Sequence, residues 1–273
     1  MILFSAAVWL GFRRLGRKSL AITTPSEPTL VASFTTYGPR KFHAFFAILH
    51  ALATHKEVSR FYLTIGYETQ LPLRFFLLRL IGLRILRGEE RFGPYLRLVE
   101  VAKLEPASVI ITLDDDSLYP ETTISSLVAT HRDIPSAIVG MRGCKVPAGR
   151  RESFAYTELT AISDRDQCVE SGIFLTCSGG SLYPPVSRFG MIVDWEMALR
   201  LSPRNDDIWY FFAAEKEGIP MVLAAGEERN PKNLKGSQDN ALWRTNVLEG
   251  HNDKFLAQCR DHFRQADRSI SGN

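Results

Sequence analysis

Residues 109–113 (VIITL) form a nearly continuous apolar run that stops abruptly at three carboxylates, Asp114, Asp115 and Asp116. A strand without a polar side must be covered on both faces. Helices on two sides of a sheet satisfy that demand, whereas a sandwich with one wet face does not. The segments before it agree. Residues 30–36 (LVASFTT) are β-rich and end at the turn signal YGPR. Residues 41–54 place Phe42, Phe45, Phe46, Ile48, Leu49 and Leu52 at helical spacing. Residues 61–65 (FYLTI) read as a second strand.

The alternation continues. Residues 71–81 read as an apolar helix whose Arg74 and Arg79 snorkel rather than form one basic face. A third strand is expected at 83–86, a helix at 95–104, and a helix at 121–131 with Pro120 suited to its first position. A strand at 137–141 follows. This order of strands and helices predicts a Rossmann-type sheet flanked by helices. Later, residues 205–217 read as a helix that Gly218 ends, and 221–225 as a strand. The last 40 or so residues are polar and are expected to fold back over the site.

Charge and cysteine use narrow the classes. The formal net charge is +3, and residues 1–20 carry four cations (Arg13, Arg14, Arg17, Lys18) and no acid. The basicity thus belongs to the N-terminus, which argues against nucleic acid as a partner. Residues 1–12 (MILFSAAVWLGF) are too few to span a bilayer, which takes about 20 apolar residues. The cations follow the apolar run, the reverse of a secretory signal. Residues 1–28 therefore read as an apolar and basic extension suited to an anionic membrane surface, or as a packed or frayed tail. None of Cys144, Cys168, Cys177 and Cys259 forms a C-x-x-C pair, and the histidines complete no zinc pattern. Free thiols in a reducing compartment are the reading, with two disulfides the alternative for a secreted chain.

Chemistry concentrates in three places. Ligands of open parallel sheets bind at the carboxyl ends of strands. Three adjacent carboxylates there repel one another unless a cation neutralises them. Hard oxygen donors suit Mg²⁺ or Mn²⁺, with substrate phosphates completing the shell. Asp206 and Asp207 open a helix. One can cap it and the other can take a proton from a hydroxyl, with the helix dipole expected to keep its pKa low. Gly179-Gly180 ahead of Tyr183-Pro184-Pro185 allows close backbone approach to a ligand. Arg40 and Arg97 are each suited to contact a phosphate or to sit on the surface.

Taken together and in order, TTYGPR, GPYLRL, IITLDDDSLYP, GGSLYPP and NDDIW resemble bacterial GT-A-fold glycosyltransferases that build cell-surface polysaccharides. The resemblance spans roughly residues 30–250 and is specific as a set rather than motif by motif. It implies an α/β, GT-A-like, Rossmann-type mixed sheet flanked by helices. It also implies a single domain over 29–273, with a nucleotide-binding half at 29–143 and an acceptor half at 144–273. Thr35, Thr36, Tyr37, Arg40 and Arg97 would surround the nucleotide and its phosphates. Asp114 and Asp116 would hold Mn²⁺ or Mg²⁺ on the donor diphosphate, with Asp115 near the ribose or sugar. Gly179 and Gly180 would line the sugar cleft, and Asp207, beside Asp206, would be the catalytic base of an inverting enzyme. His251 stands where many such enzymes supply a C-terminal metal ligand, although EGHNDK matches no specific pattern and a surface histidine is the competing reading.

The donor would be a UDP- or GDP-sugar and the acceptor a glycan or lipid-linked hydroxyl. The place of action would be the cytoplasm, peripherally at the inner face of the plasma membrane. Three alternatives compete. A nucleotidyltransferase would have a richer glycine loop after the first strand than TTYGPRK. A phosphatase would have Thr or Val where Leu118 stands. A non-catalytic sugar-binding protein would need neither metal nor base.

Overall fold

The computed structural model describes residues 28–150, 153–162, 172–225, 230–237, 246 and 250–271. The N-terminal apolar and basic extension and Cys168 lie outside the described residues. The chain begins with β1 (Leu30–Thr35), α1 (Lys41–Thr54), β2 (Arg60–Gly66), α2 (Phe75–Leu80) and β3 (Leu83–Gly88). It continues with α3 (Leu96–Leu104), β4 (Val109–Thr112), β5 (Ser117–Leu118), α4 (Thr122–Asp133), β6 (Ile138–Gly140) and β7 (Gly143–Lys145). Then come β8 (Thr160–Ala161), β9 (Ile173–Leu175), β10 (Ser181–Tyr183), α5 (Trp195–Leu201) and α6 (Asp206–Lys216). β11 (Met221–Leu223), β12 (Lys232–Asn233) and α7 (His251–Ser271) complete it.

Seven strands form one sheet in the order β11-β6-β10-β4-β1-β2-β3. All neighbours are parallel except β10, which runs antiparallel to both β4 and β6. The sheet is therefore mixed and mostly parallel, as expected. The insertion of β10 between β6 and β4 is a feature that the apolar patterning did not assign.

Successive strand residues feed two different cores, because side chains alternate across a sheet. Ile110, Tyr62, Ile138 and Tyr183 join α3, α5, α6 and α7 on one face. Ile111, Phe61, Val139 and Leu182 join α1, α2 and α4 on the other. β4 is buried at all four of its positions, which is why its sequence has no polar alternation.

Several local readings need correction. The second helix does not start at residue 71, because Pro72 disfavours helical backbone at the residue before it. The regular helix occupies only Phe75–Leu80. Arg74, just ahead of it, lies over the rings of Phe42 and Phe45 at 5.1 and 5.4 Å, in keeping with a snorkelling side chain. Pro120 precedes the fourth helix rather than opening it, its carbonyl accepting the Thr123 N–H at 3.1 Å. The C-terminal polar stretch is a 21-residue helix. Its Phe255, Leu256, Cys259 and Phe263 are buried. Phe263 lies at 5.7 Å from Trp209 and 6.1 Å from Phe212, ring centre to ring centre, so α7 is bonded to α6 by aromatic packing.

Cys144, Cys177 and Cys259 are free thiols. Among the described residues no helix is long and apolar enough to cross a membrane. Ile111 packs in the centre of the sheet with no exposure. Ile111→Ala is expected to lower unfolding free energy by about 2–5 kcal/mol, read from urea denaturation.

Candidate functional site

The carboxyl ends of β1 and β4 lead directly into residues that line the site. Leu113 extends the pairing of β4 by one bond, its N–H donating to Ser33 O at 2.9 Å. The chain then turns through Asp114–Asp116. The Asp114 N–H donates to the buried Tyr119 hydroxyl at 2.9 Å. On the far side β12 pairs antiparallel with β5, and the Leu234 N–H donates to Asp116 O at 2.8 Å. The acidic turn is thus fixed from both ends.

Its charges are met by protein cations. After β1, Gly38 takes a φ of 50°, a left-handed conformation that suits glycine, and a single helical turn delivers Arg40. Arg40 Nη2 lies 2.7 Å from Asp115 Oδ1 and 2.8 Å from Asp116 Oδ2. Arg97, in the first turn of α3, donates from Nη1 to Asp114 Oδ1 at 2.9 Å. The same guanidinium donates from Nε and Nη2 to Asp206 Oδ2 at 3.0 and 2.6 Å. Asp207 Oδ1 stands 4.0 Å from Arg97 Nη2. One buried guanidinium therefore joins two acidic motifs that lie far apart in the chain. Neither Arg40 nor Arg97 is a surface residue.

The helix start at Asp206-Asp207 differs from expectation. Asn205 is the cap: its side chain accepts from the Ile208 N–H at 3.2 Å and donates to Asn252 Oδ1 at 2.9 Å. An aspartate in that position could accept but not donate. Both acids are thereby free of capping and turn into the site. Asp207 Oδ1 accepts from the Cys177 N–H at 3.0 Å. The expected low pKa is not found. Burial, reinforced by Asp206 and opposed by Arg97, raises Asp207 to about 6. Asp114 rises to about 7 through burial, against the pull of Arg97, and Asp115 to about 6 through burial, against Arg40.

These side chains line one cavity of about 470 Å³ with Thr35, Tyr37, Arg40, Arg97, Asp114, Asp115, Asp116, Asp206 and Asp207 in its wall. Thr36 lies beside it, buried, and Thr35 Oγ1 donates to Thr64 O at 2.9 Å. From the turn before β10 the lining comes from Thr176 and Ser178. Gly179 and Gly180 stand behind them. Gly180 has a φ of 90°, and a Cβ there would press on Leu113 and Tyr119 at 3.3 Å. His251 opens α7 with its ring 6.1 Å from that of Phe255, and the lining contributed by this turn is Asn252.

Sequence reasoning did not pick out Arg142, Tyr156, Arg204, Asn233, Asn246 or Asn252, which also line the cavity. Two of them carried a signal. Arg142 stands two residues past the end of β6, where ligands of such sheets gather, and Arg204 directly precedes NDD. The asparagines carried none.

Five carboxylates share the cavity wall with four guanidiniums, of which only Arg40 and Arg97 pair with them, so an excess of negative charge remains around the acids. That excess and its hard oxygen donors fit a divalent cation. Cys177 Sγ and one carboxylate oxygen each of Asp206 and Asp207 also lie within 4.8 Å of one another, a candidate metal site. Its sulfur is a poor partner for a hard ion, because burial raises the Cys177 thiol well above its ordinary value and keeps it protonated. Asp206, moreover, is already engaged by Arg97.

The sequence matches no protein-family model and no curated protein. Solved structures that it resembles include residues 1–349 of S. aureus TarS, at a TM-score of 0.48 and 13% identity over 85% of this chain and 70% of that one. The same TarS fragment in complex with UDP gives 0.48 and 16% identity over 85% and 70%. A 4-diphosphocytidyl-2C-methyl-D-erythritol synthase gives 0.44 and 13% identity over 78% and 96%. The fold assignment rests on the strand order and not on these likenesses.

Two outcomes follow from the geometry. Arg97→Met leaves Asp114 and Asp206 without their shared cation, and a cost of about 3–5 kcal/mol is expected in denaturant unfolding. The second concerns pH. Asp114, Asp115 and Asp207 bind protons more tightly folded than unfolded, where an aspartate titrates near its ordinary value of 3.8. Their contribution favours the folded state at low pH and is lost as pH rises through about 4 to 7. Burial lowers His55 to about 4 and also lowers His131, an opposing contribution between pH 5.5 and 8 that the three aspartates outweigh, so the ligand-free protein is expected to melt at a higher temperature at pH 5.5 than at pH 8, by scanning calorimetry.

Proposed function

We propose that this protein is a divalent-cation-dependent glycosyltransferase that moves a sugar from a nucleotide-diphosphate donor to a hydroxyl of a glycan or lipid-linked acceptor. The observation that carries the reading is the convergence, over one cavity, of an acidic turn at the carboxyl end of β4 and a second acidic pair at the start of α6. A phosphate-anchoring site and a proton acceptor held in fixed relation are what sugar transfer from a diphosphate requires.

In this reading Asp114 and Asp116 would hold Mn²⁺ or Mg²⁺. The bound cation would stabilise the charge that develops on the diphosphate as the glycosidic bond breaks. Asp115 and Thr35, at the β1 side of the cavity, would contact the nucleoside or sugar, with Tyr37 offering a ring at the rim. Arg40 and Arg97 would position the carboxylates rather than the phosphates, since both are already committed to them.

Asp207 is the group suited to take the acceptor proton. Its Oδ1 is fixed by the Cys177 N–H, and its raised pKa makes it a stronger base than an ordinary aspartate while leaving it ionised at neutral pH. Attack from the face opposite the leaving diphosphate would invert the anomeric centre. Arg97 would hold Asp206 in place beside it through two hydrogen bonds, so that this second acid does not swing away.

The test is a melting-temperature panel of UDP, GDP, CMP and dTDP with and without Mn²⁺, followed by transfer assays with the responding donor. One nucleotide is expected to stabilise the protein only when the metal is present, and Asp116→Ala to remove that response. Asp207→Asn should keep the response and lower the transfer rate by about 10²- to 10⁴-fold. Nucleotide binding unaffected by EDTA, or full transfer by Asp207→Asn, would refute the assignment.

A further inference from the structure

The described cavity wall holds two cations that pair with no described carboxylate. Arg142 follows β6 and donates from Nη1 to Ser178 Oγ at 3.3 Å. Arg204 precedes the capping Asn205, and its backbone carbonyl accepts from Asn246 Nδ2 at 3.0 Å. Both side chains are exposed, so neither is held there by burial.

Arg142 is nonetheless placed. A Cβ on Gly179 would lie 2.5 Å from Arg142 Cγ and 2.9 Å from its Cβ and Cδ. The absence of a side chain at 179 is what gives the arginine stem its seat. Gly179 takes no left-handed φ, so close approach and not backbone conformation accounts for the glycine.

A second observation points to a ligand at the same place. Asn246 is 4% exposed, lines the cavity, and its Oδ1 has no hydrogen-bond partner. A buried carbonyl oxygen left unmet is destabilising. The group that would satisfy it is a donor such as a hydroxyl. Arg142 is bonded to Ser178, next to the Cys177 whose N–H holds Asp207, and Arg204 is two residues from Asp206. Both flank the proposed base, where an incoming acceptor must lie.

We infer that Arg142, Arg204 and Asn246 form an acceptor subsite for a sugar unit that carries an anionic group beside its hydroxyls. The inference rests on the transferase reading for the word acceptor, but the binding chemistry stands on these residues alone. Guanidiniums recognise carboxylate or phosphate through charge-assisted hydrogen bonds, and the Asn246 oxygen would accept from a neighbouring hydroxyl. The two sources of negative charge, a uronic acid and a sugar phosphate, share that chemistry.

The probes are glucuronic acid, glucose 6-phosphate and neutral glucose, titrated into the full chain with binding followed by NMR. At least one acidic probe is expected to bind more tightly than glucose, and comparison of the two distinguishes carboxylate from phosphate. Arg142→Gln and Arg204→Gln should each weaken that probe by about tenfold or more while leaving glucose unchanged. Gly179→Ala should reproduce the Arg142→Gln loss by displacing the stem. The Mn²⁺-dependent nucleotide response of Arg142→Gln and Arg204→Gln should be unchanged. The inference is overturned if acidic probes bind no better than glucose, if the variants bind them as well as the parent, or if the variants lose nucleotide binding. In the last case the arginines serve the donor diphosphate. A parent protein that binds no nucleotide yet shows the acidic-sugar preference would sink the transferase reading and keep the subsite.

Discussion

The Arg97 guanidinium is the contact on which the arrangement of the cavity depends. It satisfies Asp114 at the end of a central strand and Asp206 at the start of a helix, and approaches Asp207 as well. A guanidinium can do this because its five donors lie in one rigid plane and reach carboxylates on separate sides, whereas a lysine offers three donors at a single point. The cost of burying such a charge is several kcal/mol, so its presence is poor evidence for stability alone. What it supplies is geometry: two acidic motifs from separate halves of the chain are held in one register. Tyr95, two residues earlier, adds a second tie by donating its hydroxyl to Ser202 O at 2.8 Å. The short segment from Tyr95 to Arg97 thus fixes the loop that leads into α6.

The reversed strand β10 provides the other half of the arrangement. In a parallel sheet the carboxyl ends of strands face the ligand, and the segments leading into strands face away. A strand running the other way exchanges these roles. The turn that leads into β10 is therefore brought to the carboxyl ends of β4 and β6. That is how Thr176, the Cys177 N–H and Ser178 come to meet Asp207 and Arg142. A wholly parallel sheet would have carried these groups to the opposite edge.

Much of this was readable before the structure. The buried strand, the acidic turn after it and the helix at NDDIW were visible because each obeys a local rule: unbroken apolarity, strand-end chemistry, and a cap followed by helical spacing. What failed depended on partners distant in sequence. Nothing local shows that Asn205 rather than an aspartate is the cap, because all three residues are good caps and only the contact to Asn252 decides. The dipole argument placed the pKa of Asp207 too low because it ignored burial and the neighbouring Asp206. The step from the acidic triplet to a metal did not count Arg40 and Arg97 among its neutralising cations, a role that only the fold reveals. α7 was hidden by its polar composition, although Phe255, Leu256, Cys259 and Phe263 follow the spacing of a narrow helical stripe. β10 was missed because three residues are too few for any periodicity to register.

The cavity is divided by sign of charge, and the division constrains the order of events in any reaction it supports. Around the acidic turn the carboxylates exceed their partnered guanidiniums, while Arg142 and Arg204 leave positive charge beside Asp207. A bare diphosphate entering the acidic side would be repelled; one carrying a divalent cation would not be. Without a cation, the same diphosphate would be drawn to the arginines and would cover the base. In the proposed reading, cation loading would therefore do more than lower a barrier: it would decide which side of the cavity a diphosphate occupies. The region beside Arg142 and Arg204 would be left clear for a second substrate only when the first arrives with its metal, so that substrate order would follow from the electrostatics of the resting protein.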